Sequence, residues 1–245
     1  MFRRNLPKYV VLTPIGAHKL YALEEFFKHI ARFNYKPEMV VVAPDPEILY
    51  DVLDLSDVLG ELTLLVLLAE YPNVYHSHLA RITKARETLR EWFLKSNYEY
   101  ALWLDSDILA PPELPEKLLE VALETKAVVV RNGYPGRSGV IWHGSACMLT
   151  HRYACEVGRF IVTSINGMNI SEDYNFFSLI KGAEPIIKHK VKMNAIVTGN
   201  FVPVKHWMRK EEKPVDTRDI LGKENENKGN IREGGNTSSK RLRVQ

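Results

Sequence analysis

The strongest constraint on this chain is an alternation running through its first hundred residues. Short, almost wholly apolar runs are separated by stretches with apolar residues every three or four positions. The runs Tyr9-Val10-Val11-Leu12, Met39 to Ala43 and Tyr100 to Leu104 are the length of buried strands. Between them, Leu20, Leu23, Phe26, Phe27, Ile30 and Phe33 mark a helix over about 16–33, and Leu79, Ile82, Ala85, Leu89, Trp92 and Phe93 mark another. The stretch 46–70 is helical in pattern with a break near Ser56 to Gly60, and Asn73-Val74-Tyr75 is a further short strand. A βαβαβαβ order of this kind demands a mostly parallel sheet with helices on both faces.

The second half differs in kind. A helix near 113–124 precedes the strand Ala127 to Arg131 and a glycine-rich loop over 132–139. Val140 to Ser145 has the pattern of a strand turning sharply at Gly144. A helix over 172–181 is followed by short strands around 186–198 and 202–206. We expect one domain over 1–208 with two functional halves, about 1–110 and 111–208.

Charge sets that body apart from its end. The chain has 33 Lys and Arg against 30 Asp and Glu, and residues 209–245 hold ten and seven of these, leaving 23 of each sign in 1–208. A neutral body argues against a duplex-binding domain, so no nucleic-acid partner is expected. The end, 209–245, with few large apolar residues, reads as a charged tail that is mobile or loosely docked. Two cysteines exclude a disulfide scaffold and a four-cysteine zinc site. No apolar run approaches the ~20 residues of a membrane span. A cytoplasmic location is expected, with work at a membrane edge left open.

In open α/β sheets ligands bind beyond the carboxyl ends of the strands. Thr13-Pro14, Asp45 and Asp105-Ser106-Asp107 all fall there. Nine aspartates would give about a third of one Asp-x-Asp by chance, so the pair alone is weak. Its place after five apolar residues is more telling, because alternation brings both carboxylates to one side. Carboxylates hold hard cations such as Mn²⁺ or Mg²⁺, which can neutralise a diphosphate leaving group. Ser171-Glu172-Asp173 opens a helix, where acidic residues are also ordinary dipole partners. Gly144 could allow close approach of a ligand, and Trp142 reads equally as a stacking face or a core residue. His76-Ser77-His78 lacks a carboxylate to complete a metal site, and Cys147 reads as a buried small residue. The chain has no phosphate-binding G-x-x-x-x-G-K-[ST] and no G-x-G-x-x-G after a strand.

Taken in order, these residues carry a resemblance. Asn34-Tyr35-Lys36-Pro37, Val40 to Asp45, Lys84-Ala85-Arg86, Leu102 to Asp107, Gly144 to Leu149 and Ser171 to Tyr174 resemble nucleotide-sugar-dependent glycosyltransferases of the GT-A fold, family-2-like, over about residues 9–207. The resemblance implies a Rossmann-like α/β sheet and transfer of a hexose from a nucleotide-diphosphate sugar, UDP- or GDP-linked, to a glycan, protein or lipid hydroxyl. Inversion and metal dependence are expected with it. Asp105 and Asp107 correspond to the metal and donor ligands, with Thr13, Pro14, Asp45, Arg86 and Ser106 on the nucleotide sugar. Glu172 and Asp173 correspond to the acceptor's base, Asp173 the better choice, and Trp142 and Gly144 to the acceptor side. A closing histidine on the metal is implied, for which both His206 and His189 stand open, His206 preferred for its strand-end position. One departure is Glu87, where the family carries Asn, which would alter a donor contact. A GT-A-like shell that binds nucleotide or sugar without transfer is the alternative.

Overall fold

The structure is a computed structural model and describes residues 6–70, 77–136, 139–165, 168–209 and 211–222. In chain order the strands are β1 Tyr9–Ile15, β2 Val40–Pro44, β3 Leu64–Val66, β4 Tyr100–Leu104, β5 Ile108–Leu109, β6 Ala127–Asn132, β7 Tyr134–Pro135, β8 Ile141–Trp142, β9 Cys147–His151, β10 Thr163–Ile165, β11 Met168–Ile170, β12 Asn194–Gly199, β13 Lys205–His206 and β14 Val215–Asp216. The helices are α1 Leu20–Ala31, α2 Leu49–Asp54, α3 His78–Lys95, α4 Leu114–Thr125, α5 Arg152–Val157, α6 Glu172–Gly182 and α7 Glu184–Lys190.

Seven strands form the main sheet in the order β12-β6-β9-β4-β1-β2-β3. Every neighbouring pair is parallel except those made by β9, which runs antiparallel to both β4 and β6. The mixed α/β sheet expected from the alternation is therefore present, with one reversed strand at its centre. The two faces carry separate cores. Leu23, Phe26, Phe27 and Ile30 of α1 and Leu114, Leu118 and Leu119 of α4 pack on one face. Ala85, Leu89 and Phe93 of α3 pack with Phe160, Phe176 and Ile180 on the other. Burying both faces is why the parallel strands read as unbroken apolar runs.

Several elements depart from the sequence expectation. The first strand does not close at Thr13-Pro14 but continues to Ile15. Proline is tolerated there because alternation matters: Val11 donates its N–H to Met39 O toward β2, so residue 14's nitrogen faces β4. Pairing with β4 ends at Leu12, so no ladder bond is lost. Leu64–Val66, expected as helix, is a strand paired with β2. Residues 186–190, expected as strand, lie in helix α7. The strand expected at 73–75 lies outside the described residues. Only Ile141–Trp142 of the strand expected over 140–145 is extended, and it forms a short hairpin with Tyr134–Pro135.

Part of the segment from 209 onward, expected to be mobile or loosely docked, pairs into a short sheet. Val215 and Asp216 pair antiparallel with His206 and Lys205, and β13 pairs in turn with β5. Residues 217–222 are helical, with Thr217 wholly buried and its hydroxyl donating to Val204 O at 2.9 Å. No helix of the described residues is long and apolar enough to cross a membrane.

Candidate active site

A cavity of about 310 Å³ opens beyond the carboxyl ends of β1, β2 and β4. Pro14, Asp45, Asp105, Ser106, Asp107, Trp142 and His206 all line it. Residues separated by up to 192 positions are thus gathered where the sheet topology predicts a ligand.

Each carboxylate has its own cation. After β4 the chain turns, and Asp105 and Asp107 take different partners rather than pointing together at one place. Asp105 receives both oxygens' hydrogen bonds from one Arg86 amine, at 2.7 and 2.9 Å. Asp107 is buried and meets the Lys19 ammonium and His206 Nε2, the latter at 3.1 Å. Burial raises the Asp107 pKa, but the His206 bond and the charges of His206 and Lys19 outweigh it and hold it at about 2.

His206 is oriented from behind. Its Nδ1 lies 2.6 Å from the Pro135 carbonyl, which can only accept, so Nδ1 carries hydrogen. Two short strands set this geometry: β7 supplies the carbonyl and β13 the ring. Trp207 N–H donates to Asp107 O at 2.9 Å, tying the two segments together. His189, the other open choice for a closing histidine, lies on α7 and does not line the cavity. Among the described residues no cluster of three or more His, Cys, Asp or Glu is near enough to hold a metal ion by itself.

At the other end, Asp45 accepts from the Ala17 N–H at 2.9 Å and lies 3.7 Å from Arg81. His18 and His78 meet edge to face with ring centroids 4.3 Å apart. Burial lowers the pKa of each, so both favour the neutral ring. Gly16, His18, Lys19, His78 and Arg81 line the cavity, and the sequence reading placed none of them in the site. Their one signal is position, in the turn directly after β1 and in the first turn of α3.

Three expected contacts take other places. Thr13 is wholly buried within β1 and does not line the cavity, because the strand runs two residues further than expected. Arg86, also buried, does not line it either: its guanidinium joins Asp105 to Glu172. Burial opposes the Arg86 charge, but the two carboxylates more than compensate and raise its pKa. Glu172 is buried too, and burial pushes its carboxyl up against the pull of Arg86. Arg86 and Glu172 are therefore supports for Asp105 rather than walls of the cavity.

Glu87 explains the departure at that position. Its carboxylate takes Arg90 Nε at 2.8 Å and an Arg90 amine at 2.6 Å, Arg159 at 3.1 Å, and the Phe160 N–H at 3.2 Å. It faces the helix-packing side, away from the cavity. Burial would raise its pKa, but the Arg90 bond and charge bring it below the ordinary value.

Asp173 stands across Gly144. Its Oδ1 accepts from the Ser171 hydroxyl at 2.6 Å and the Tyr174 N–H at 2.8 Å. A side-chain carbon on Gly144 would lie 3.0 Å from Asp173 Oδ2 and 2.5 Å from the Tyr134 hydroxyl. Tyr134 lines the cavity, whereas Asp173 lines a second groove with Arg131 and Lys181. Only a glycine lets those two places approach so closely. Trp142 is 46% exposed, its indole packed on Gly136, where a Cβ would meet the ring at 2.6 Å. Cys147 is buried, as expected, and burial pushes its thiol up to about 12.

No family model matches the chain, and no curated protein does. Solved structures do. Glucosyl-3-phosphoglycerate synthase from Mycobacterium tuberculosis, in complex with Mn²⁺, uridine diphosphate and glucosyl-3-phosphoglycerate, matches at TM-score 0.54 and 14% identity over 88% of this chain and 75% of that one. S. aureus TarS 1–349 in complex with UDP-GlcNAc matches at TM-score 0.53 and 14% identity over 88% and 64%. Against a longer S. aureus TarS structure, the match covers 78% of this chain but only 35% of the other. Identities this low speak for architecture, and the architecture is clear: the chain has the GT-A fold of nucleotide-sugar glycosyltransferases.

Proposed function

We propose that this protein transfers a sugar from a nucleoside-diphosphate donor to an acceptor hydroxyl, with the help of a divalent cation and with inversion. The observation that carries the reading is the pairing of Asp107 with His206 in the cavity, with Asp173 facing it across Gly144. The synthase and TarS structures, which hold UDP with Mn²⁺ and UDP-GlcNAc, support a nucleotide sugar as donor.

The side chains fit a cation. With hydrogen on Nδ1, the His206 Nε2 stands 3.1 Å from a carboxylate oxygen of Asp107. A ring nitrogen and a carboxylate so placed need a proton or a metal between them. Asp107 and His206 would hold Mn²⁺ or Mg²⁺, with the donor's phosphate oxygens adding to the set. The cation would supply neutralisation of charge on the departing diphosphate.

The chain's own residues do the rest. Asp45 and Pro14 bound the end of the cavity that would take the nucleoside, and Ser106 and Asp105 its middle. Arg86 fixes Asp105 by holding both its oxygens. Lys19 brings a positive charge to the place where the diphosphate would lie. Asp173 Oδ2 is the base: Oδ1 already accepts two hydrogen bonds, and Oδ2 faces Gly144. It takes the acceptor's hydroxyl proton while that oxygen bonds to the anomeric carbon. The bond from that carbon to the diphosphate breaks, and the nucleoside diphosphate leaves with the electron pair. Trp142 offers an apolar face for a sugar.

The test is transfer or slow hydrolysis of UDP-glucose and UDP-GlcNAc, followed by proton NMR of the first-formed anomer. A positioned base contributes ~10²–10⁴-fold. Asp173→Asn should lower turnover by that factor and leave UDP affinity within about threefold. Equal losses in both would remove the base assignment, and UDP binding with no turnover of any donor would favour the binding-only alternative.

A further inference from the structure

Among the described residues, the second groove contains a guanidinium that feels the charge of Asp173 but has no hydrogen-bond acceptor. Arg131 lies on β6, half-buried, with its guanidinium carbon 4.1 Å from the centroid of the Phe177 ring. That face-on contact fixes the plane of the guanidinium but satisfies none of its N–H donors. Among the described residues, no carboxylate, hydroxyl or carbonyl accepts a hydrogen bond from it, and its Nε is buried with no hydrogen-bond partner. Arg86 and Arg90, by contrast, are buried with carboxylates accepting from their guanidinium groups. A half-buried guanidinium left this way forfeits hydration without recovering it from the protein.

What surrounds it shows what would answer it. Arg131 lines a groove of about 410 Å³ with Ser171, Asp173, Tyr174, Ser178 and Lys181. Two cations face one carboxylate, so the groove keeps a positive excess with Asp173 ionised. Two hydroxyls and the exposed Tyr174 ring add hydrogen-bonding and stacking surface. Asp173 is in the first turn of α6 and Lys181 in its last. Phe177, under the guanidinium, is four residues from Asp173, which is one helical turn or about 6 Å along the axis.

From this we infer that the acceptor is anionic, carrying a phosphate or carboxylate at the end remote from its accepting hydroxyl, bound by Arg131 with Lys181 further along α6. Arginine's planar fork suits either anion, because two parallel N–H donors match two oxygens. The anion anchors one end of a small acceptor, and the hydroxyl at the other end meets Asp173 Oδ2. Neutral sugars of the same size would lack that anchor. The inference rests on Asp173 being the acceptor's base.

The test is calorimetric titration of the full chain with glycerol 3-phosphate, glycerate and glycerol, with and without saturating UDP and Mn²⁺. Saturating UDP keeps the phosphate out of the donor cavity. We expect at least tenfold tighter binding of one or both anions than of glycerol, and the stronger of the two identifies phosphate or carboxylate as the group. Arg131→Gln should abolish the preference, Arg131→Lys should restore part of it, and Lys181→Gln should weaken it by a smaller factor. UDP affinity should be unchanged in all three. Equal binding of all three probes, or a preference that survives Arg131→Gln, would overturn the inference. Should Arg131→Gln fail to fold, the Lys181→Gln titration decides in its place. Failure of UDP itself to bind would instead count against the donor reading, and the anion preference is then read from the nucleotide-free titration.

Discussion

Single residues in this protein mostly act in pairs, and the pairs separate function from packing. Asp107 is the clearest case. Its carboxyl sits at about 2 instead of its ordinary 3.8, so the folded state favours the charged form. The associated stability is complete above the unfolded pKa and is lost as pH falls from about 4 through 2, of order 2 kcal/mol. Melting temperature measured across that window should therefore fall less steeply in Asp107→Asn than in wild type, and parallel curves would contradict the assignment. Glu87 makes the opposite point. It occupies a position where the resemblance implies a donor contact, yet it answers Arg90, which is 1% exposed. Removing one partner of a buried pair costs about 3–5 kcal/mol. Glu87→Gln should cost about 3 kcal/mol in a urea titration with UDP affinity unaltered, and a loss of affinity without loss of stability would return Glu87 to the site.

At the scale of elements, what was legible depended on how a segment is buried. β1, β2, β4 and β6 are covered on both faces, so they appear as apolar runs, and α1 and α3 carry a clear three-and-four spacing. β9, Cys-Met-Leu-Thr-His, gave no such signal. Its Thr150 is buried because it receives the Trp103 indole N–H at 3.0 Å, a contact made across strands. The two-residue strands β7, β8, β13 and β14 are too short to have a period, and they exist because their partners are already in place. The same limit applies to the site. Asp105, Asp107 and His206 could be found at strand ends, but Lys19 and His18 lie in a short turn after β1, and nothing in their type marks them before the fold brings them to Asp107 and His78. The segment 211–222 has too few apolar residues to signal where it docks, and Thr217 and Ile220 are the side chains it buries. It backs β13, which carries His206. A chain truncated after residue 222 should keep its melting temperature and any Mn²⁺-dependent UDP binding. Truncation after 209 should lose several degrees and weaken that binding about tenfold. Equal behaviour of the two would show that β14 does not support the site.

Across the whole molecule, the mostly parallel sheet ends in a cavity, and a second groove lies between β6 and α6. β9 is the hinge of that plan: Gly144 precedes it, β4 with Asp105 lies on one side and β6 with Arg131 on the other. Binding of a nucleoside diphosphate in the cavity through a divalent cation on Asp107 and His206 is tested by the thermal shift of wild type and Asp107→Ala with UDP, GDP, CDP and dTDP, each with and without Mn²⁺. One diphosphate should stabilise the wild type, only with Mn²⁺, and leave Asp107→Ala unmoved. Binding at 100 Kd contributes about 2.7 kcal/mol, enough for a shift of several degrees. No shift with any diphosphate, or the same shift in Asp107→Ala, would contradict this binding mode.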